Sequence, residues 1–151
     1  ELAAAEAAGI EVEIVPGITA ASAAAARLKT PLTERGEIDT FAITTGTCQP
    51  GEADPARARL AHPGTAVAFY MAVEKAGAVR RDLMEAGAPG ACPVDIVASV
   101  STEAERHVAC TLDTLPDTIR AEGVRSPAIL FVRYPKSMAA TSHPATLVAA
   151  E

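Results

Sequence analysis

The residues Thr65-Ala66-Val67-Ala68-Phe69-Tyr70-Met71 form an almost uninterrupted apolar run that follows a Pro63-Gly64 turn. A short apolar run bounded by turn residues is typical of a β-strand that is covered on both faces. Residues 73–86 then carry apolar side chains at helical spacing, and Gly87 ends the predicted helix. A buried strand followed by a helix is the basic unit of an α/β fold.

The same alternation of strands and helices continues in both directions along the chain. Further strands are predicted at residues 41–45, 93–99, 107–112 and 127–134, and further helices at residues 2–8, 20–28 and 115–122. Residues 10–15 alternate apolar and acidic side chains, which predicts a half-buried strand. The order of the elements predicts an α/β fold in which helices sandwich a mixed or mostly parallel sheet.

Composition narrows the class of protein. The chain has 151 residues, a net charge of −6 and only 3% aromatic residues. An acidic chain so poor in aromatics lacks the basic surface and the stacking side chains of a nucleic-acid-binding protein. No apolar stretch is long enough to span a membrane and there is no leader pattern, so we expect no membrane association. Three cysteines without metal-ligand spacing predict a reduced, cytoplasmic setting.

The most informative local feature is Val15-Pro16-Gly17-Ile18-Thr19-Ala20-Ala21-Ser22. A Pro-Gly turn followed by a helix that opens with small residues predicts unobstructed backbone N–H groups, which can receive a polar or anionic part of a ligand. The alternative is that Thr19 simply caps the helix and the alanines simply permit close packing.

Two other positions are candidates for ligand binding. Met71 ends a predicted buried strand, and ligands of α/β sheets gather at the carboxyl ends of strands. A thioether there can contact a flat ring or a sulfur-bearing cofactor, but Met71 can equally fill the core. Arg35 can pair with a substrate carboxylate or be an ordinary surface residue. The three histidines lie far apart, and no zinc-protease, serine-hydrolase or P-loop motif occurs, so a metal site or a serine triad is disfavoured.

Taken in order, these segments resemble the tetrapyrrole (corrin/porphyrin) methylases, most closely the uroporphyrinogen-III C-methyltransferases and the methylase part of sirohaem synthase. The resemblance rests on Ile14-Val15-Pro16-Gly17-Ile18-Thr19-Ala20-Ala21-Ser22, Pro31-Leu32-Thr33 with Arg35, Thr45-Gly46, Val67-Ala68-Phe69-Tyr70-Met71, Pro93-Val94-Asp95-Ile96-Val97, Thr111-Leu112, and Ser126-Pro127-Ala128-Ile129-Leu130.

The resemblance implies a fold of two α/β domains that hold S-adenosyl-L-methionine in the cleft between them. Residues 1–16 would then close the N-terminal domain, residues 17–135 would form the C-terminal domain, and residues 136–151 would be a flexible tail. The chain would begin within a longer protein, and the catalytic residues, which stay unknown, are expected in the absent N-terminal domain.

Individual residues match the positions at which the family contacts its cofactor. Thr19 and Ala20 match a Thr-Ala pair, Met71 matches the methionine of a Tyr-Met motif, and Val100 stands where many relatives have glycine. Arg35 follows the Pro-Leu-Thr segment and is a candidate for substrate binding.

The implied function is S-adenosyl-L-methionine-dependent methylation of uroporphyrinogen III at C2 and C7, which gives precorrin-2 for sirohaem and cobalamin biosynthesis. The resemblance also implies a homodimer, and it implies that the 151-residue chain is inactive without the N-terminal domain. Two alternatives stay open: a precorrin methyltransferase of cobalamin synthesis, and a diverged, non-catalytic dimerisation or binding module.

Overall fold

The computed structural model describes residues 1–48 and 56–139. Within these ranges five strands form one sheet: β1 (Thr40–Thr45), β2 (Thr65–Tyr70), β3 (Pro93–Ala98), β4 (Arg106–Thr111) and β5 (Ala128–Tyr134). The α-helices of this part of the chain are α1 (Leu2–Ala7), α2 (Ala20–Leu28), α3 (Ala76–Glu85) and α4 (Leu115–Ala121). Two 3₁₀ turns accompany them, at Arg57–Leu60 and Lys136–Met138.

The sheet is mixed, as predicted, and its strand order is β1-β2-β5-β3-β4. Of these five strands only β1 and β2 pair in parallel, while β5 runs antiparallel to both of its neighbours and β4 runs antiparallel to β3. The alternative of a mostly parallel sheet is therefore wrong, because β5 enters between β2 and β3 in the opposite direction. Since β1, β2 and β3 share one direction, their carboxyl ends lie at the same end of the sheet.

Helices cover both faces of the sheet, which confirms the predicted sandwich. On one face, Ala21 and Ala24 of α2 are fully buried against a cluster that includes Ala68 and Phe131. Small side chains let the helix lie close to the strands, and Phe41 stacks on Phe131 with ring centroids 5.6 Å apart. On the other face, α3 and α4 bury large aliphatic side chains, among them Val79, Leu83 and Leu115, and Leu112 from the turn between β4 and α4 joins the same cluster.

The strand predicted at residues 10–15 is wrong for this structure. Residues 10–18 form no strand, and Ile14 and Val15 are 75% and 76% exposed. The backbone groups of a strand must bond to a neighbouring strand, and no other segment in the described ranges pairs with this one.

The structure describes only the beginning of the predicted tail. Ser137 Oγ donates a hydrogen bond of 2.8 Å to the Glu37 carboxylate, and Lys136 pairs with Asp39. The hydrogen bonds from Ser137 lower the pKa of Glu37. Residues 140–151 lie outside the described residues. In the ranges that are described, no helix is both long and apolar enough to cross a membrane.

Candidate functional site

A cavity of about 570 Å³ lies at the end of the sheet where β2 and β3 finish and β5 begins. A volume of this size lies in the usual range for sites that bind a small molecule or a cofactor. Its walls come from α2, from the ends of β2 and β3, and from the start of β5. The lining residues are Ala20, Tyr70, Met71, Val97, Ser99, Val100, Thr102, Ser126, Pro127, Ala128 and Ile129.

Three of the residues singled out from the sequence meet in this cavity. Ala20, Met71 and Val100 all contribute to its lining. Thr19 is the N-cap of α2 and directly precedes Ala20, although it does not itself line the cavity. The expected convergence at the carboxyl ends of strands is therefore observed for β2 and β3, even though the antiparallel β5 separates them.

The start of α2 is less open than the sequence predicts. The N–H of Ala21 donates to the Tyr70 hydroxyl oxygen at 2.8 Å, and the N–H of Ser22 donates to Thr19 Oγ1 at 3.3 Å. The expectation that the first N–H groups are unobstructed is wrong for these two, since side chains already bond to them. The N–H of Ala20 has no protein partner within the described residues, so this helix start offers one donor beside the cavity.

Met71 is not a core residue. Strand β2 ends one residue earlier, at Tyr70, and Met71 is 62% exposed. Its backbone is left-handed, with φ of 50°, and Ser99, which also lines the cavity, has φ of 49°. Such conformations are costly for residues other than glycine, and they cluster at functional sites where the surrounding structure enforces them.

The cavity offers an apolar surface and few polar groups. Val97, Val100 and Ile129 supply apolar wall, while Thr102 Oγ1 donates its hydrogen to the Ser99 carbonyl at 2.7 Å. Among the described residues that line it, none is an acid, a histidine, a lysine or an arginine. The arrangement can hold and orient a flat, largely apolar ligand, but these walls supply no carboxylate, imidazole or ammonium group for acid–base chemistry.

Arg35 lies away from the cavity. It is exposed in a turn closed by hydrogen bonds between Glu34 and Ile38. The Glu34 carboxylate accepts a hydrogen bond of 2.6 Å from Arg133, which pairs in register with Ala66 near the start of β2. The structure therefore places Arg35 near the opposite end of the sheet from Met71, and its predicted role in substrate binding stays a prediction.

Comparison with known proteins identifies the family of this chain. The sequence profile of the family described as Tetrapyrrole (Corrin/Porphyrin) Methylases matches residues 1–116. The chain belongs to the tetrapyrrole methylase family. The chain is 36% identical over 124 residues to a siroheme synthase of Chromobacterium violaceum. It is 33% identical over 126 residues to the S-adenosyl-L-methionine-dependent uroporphyrinogen III methyltransferase of Arabidopsis thaliana chloroplasts. Each alignment covers 82% of the chain.

Solved structures of tetrapyrrole methyltransferases share the fold of this chain. The uroporphyrin-III C-methyltransferase of Thermus thermophilus, crystallised with S-adenosylhomocysteine, has a TM-score of 0.71 and 28% identity, and the match covers 87% of the present chain. A cobalt precorrin-4 methyltransferase has a TM-score of 0.79 over 88% of the chain but only 24% identity, which establishes a common fold and nothing finer.

The chain spans only part of each relative. It covers 26% of the siroheme synthase, 34% of the Arabidopsis enzyme and 54% of the Thermus chain. The 570 Å³ cavity is formed by residues of this segment alone. The activity, substrate and partners of a complete protein that contains the segment are proposals.

Proposed function

We propose that this chain is part of an S-adenosyl-L-methionine-dependent uroporphyrinogen-III C-methyltransferase, and that its cavity receives the cofactor. The observation that carries the proposal is the meeting of Ala20, Met71 and Val100 on the lining of one cavity. These positions come from three separate parts of the sequence, and the family resemblance implicates all three in cofactor contact. The 28% identical Thermus enzyme, which was crystallised with S-adenosylhomocysteine, supports the same cofactor.

The residues present suit such a cofactor. A purine ring is flat and needs apolar surface on its faces, and Val97 and Ile129 offer that surface. The unpartnered N–H of Ala20, next to the N-cap Thr19, can donate to a polar group at the edge of the ligand. Met71 presents a polarisable thioether at the mouth of the cavity, and Val100 closes the wall beside Ser99.

When bound, S-adenosyl-L-methionine supplies an electrophilic methyl group. The contribution of this chain is to bind the methyl donor, to fix its orientation and to exclude water from the apolar walls. No carboxylate, imidazole or ammonium group lines the described part of the cavity. From the family resemblance we propose that the residues that act on the substrate belong to the N-terminal domain of a longer protein.

Uroporphyrinogen III is our proposed substrate, with methylation at C2 and C7 to precorrin-2 for sirohaem and cobalamin biosynthesis. Its support is the 36% and 33% identity to a siroheme synthase and to a uroporphyrinogen III methyltransferase. A cytoplasmic homodimer is the proposed working form. A precorrin methyltransferase shares the fold, but the 24% identity to a cobalt precorrin-4 methyltransferase does not favour that substrate.

The test uses the complete gene product that contains these residues. We expect S-adenosylhomocysteine to bind in titration calorimetry, and uroporphyrinogen III to be converted to precorrin-2 when S-adenosyl-L-methionine is added. The 151-residue chain alone is expected to fold but to transfer no methyl group.

Each alternative has its own outcome in this experiment. Binding together with methylation of a precorrin, but not of uroporphyrinogen III, would move the assignment to cobalamin synthesis. Absence of any S-adenosylhomocysteine binding would reject the proposal in favour of a non-catalytic binding module. Turnover by the isolated chain would refute the placement of the acting residues elsewhere.

A further inference from the structure

Arg57 is a buried cation that lies outside the cavity. It begins the 3₁₀ turn Arg57–Leu60 and is only 1% exposed. Its Nη1 donates to the Asp82 carboxylate on α3 at 2.6 Å, and its Nη2 donates to the Gly46 carbonyl at 2.9 Å. A charged group is buried at a large cost in solvation, so contacts that fix its position this closely impose a definite geometry on their partners.

The Gly46 carbonyl belongs to a turn that packs directly on the backbone behind Met71. The N–H of Gly46 donates to the Tyr70 carbonyl at 2.6 Å. A Cβ atom added to Gly46 would come within 2.5 Å of the Ala72 Cα and 2.9 Å of the Met71 carbonyl oxygen. Only glycine fits this closely at this position, so the turn is in direct backbone contact with Met71 and Ala72.

The same turn also touches the Met71 side chain. Thr47 Oγ1 lies 3.9 Å from the Met71 sulfur, and the Thr47 N–H donates to Thr45 Oγ1 at 3.2 Å. Met71 itself is held in a left-handed conformation with φ of 50°. A strained residue keeps such a conformation only while its surroundings enforce it.

We propose that Arg57 is a positioning residue for the cofactor cavity. Its hydrogen bonds to the Asp82 carboxylate and to the Gly46 carbonyl bridge these two groups, and the bridge holds the turn that keeps Met71 in its left-handed conformation at the cavity mouth. The link to cofactor affinity rests on the function proposed above, whereas the link to Met71 geometry does not. Arg57 does not itself line the cavity, and its bond to the Gly46 carbonyl connects it to the turn that contacts Met71, so we place its effect on a ligand at Gly46 and Met71.

The chain provides a matched control in Arg81. Its guanidinium bonds to the same Asp82 carboxylate, at 2.8 Å, but it is exposed, and the bond to the Gly46 carbonyl comes from Arg57 instead. Loss of Arg81 therefore removes one ion pair of Asp82 and leaves the turn behind Met71 in place. If Arg57 served only to pair with the Asp82 charge, loss of either arginine would have the same effect on Met71.

The first experiment monitors the environment of the Met71 side chain directly. The full chain, with its three methionines, is labelled with ¹³C at the methionine methyl groups, and each signal is assigned by substitution with leucine. Arg57→Met adds a fourth methionine, whose extra signal is identified by comparison with Arg57→Leu. In both variants we expect the Met71 signal to shift or broaden while the Met84 signal, which reports on the α3 core, stays in place. Arg81→Gln should leave both signals unchanged.

The second experiment measures affinity. In the complete gene product, Arg57→Met should weaken S-adenosylhomocysteine binding by about tenfold, since release of Met71 lowers the fraction of molecules in the binding-competent state. Arg57→Lys keeps the charge beside Asp82, but one ammonium group cannot reproduce the two-pronged contact, so a similar weakening is expected.

The outcomes separate the two proposals. If the wild-type protein binds no S-adenosylhomocysteine, the proposed function fails, and the Met71 signal still decides the role of Arg57. If Arg57→Met does not fold, Arg57→Lys is used for the same comparison. An unchanged Met71 signal in a folded Arg57 variant, or equal movement of the Met71 and Met84 signals, overturns the positioning role.

Discussion

Replacement of Met71 by aspartate tests whether Met71 contacts a ligand or packs in the hydrophobic core. Met71 is 62% exposed, so aspartate at this position forfeits only the remaining buried part of the side chain. Complete burial of a methionine stabilises a protein by about 1.5–3 kcal/mol, so the loss at this position is about 0.6–1 kcal/mol. Aspartate tolerates the left-handed conformation that Met71 adopts, with φ of 50°, better than most residues do, which reduces the loss.

The expected result for Met71→Asp is a folded protein with impaired binding. A loss of this size lowers the melting temperature of a domain of this length by about 2–4 °C. Loss of the thioether contact, together with a carboxylate at the cavity mouth, should weaken S-adenosylhomocysteine binding by about tenfold, which corresponds to about 1.4 kcal/mol. Thermal melting and titration calorimetry on the complete gene product measure the two effects separately.

Two control substitutions calibrate the result. Ile43→Asp changes another exposed apolar residue, 53% exposed, which does not line the cavity, and it should leave binding unchanged. Met84→Asp places a charge among side chains packed on the α3 core and should lower stability far more than Met71→Asp does. Unimpaired binding in folded Met71→Asp would refute the assignment of Met71 to the cofactor site.

Three further results are expected from the same structure. The exposed apolar residues at positions 10–18 should promote self-association of the chain, and a monomer at all concentrations in light scattering would argue against this. Gly46→Ala should lower the free energy of unfolding in urea by about 1–3 kcal/mol, because its Cβ collides with Ala72; an unchanged midpoint would show that the turn can move. Burial raises the pKa of the Cys92 thiol from its ordinary value of 9.0 to about 11. Its contribution to stability is thus complete below about pH 9 and is lost as the pH rises from 9 to 11, so the difference in unfolding free energy between wild type and Cys92→Ala should shrink over that range; a constant difference would contradict the buried-thiol argument.

Much of the secondary structure can be predicted from the sequence because local chemistry determines it. The sequence predicts a helix at residues 20–28, and α2 is observed as Ala20–Leu28, with Thr19 capping it through Ser22. The run before Met71 is a strand buried on both faces because β1 and β5 flank it and helices cover it. In these segments propensity, capping and burial all favour the same conformation.

The incorrect predictions concern segments whose conformation depends on contacts with other parts of the chain rather than on the local sequence pattern. Residues 10–15 alternate as a half-buried strand does, but alternation says which side chains share a face and not whether another strand is adjacent. The placement of β5 between β2 and β3 is likewise set by packing of distant segments.

The candidate site is predictable only in part for similar reasons. The resemblance identifies Ala20, Met71 and Val100, which do line one cavity. It does not identify Ser99, whose left-handed backbone leaves no mark in the sequence, or Arg57, whose burial reverses the usual expectation for an arginine. Both depend on contacts between segments far apart in the chain.

The two ends of the sheet differ in a way that fits a binding site at only one of them. At the end away from the cavity, charged pairs join the segment before β1 to the end of β5 and its following turn: Glu34 with Arg133, and Asp39 with Lys136. At the cavity end the lining is uncharged and includes the left-handed Met71 and Ser99. Strain of this kind persists only when the rest of the fold is stable enough to enforce it. The helix-covered faces bury the hydrophobic core and stabilise the sheet, which allows the cavity end to keep Met71 and Ser99 in left-handed conformations.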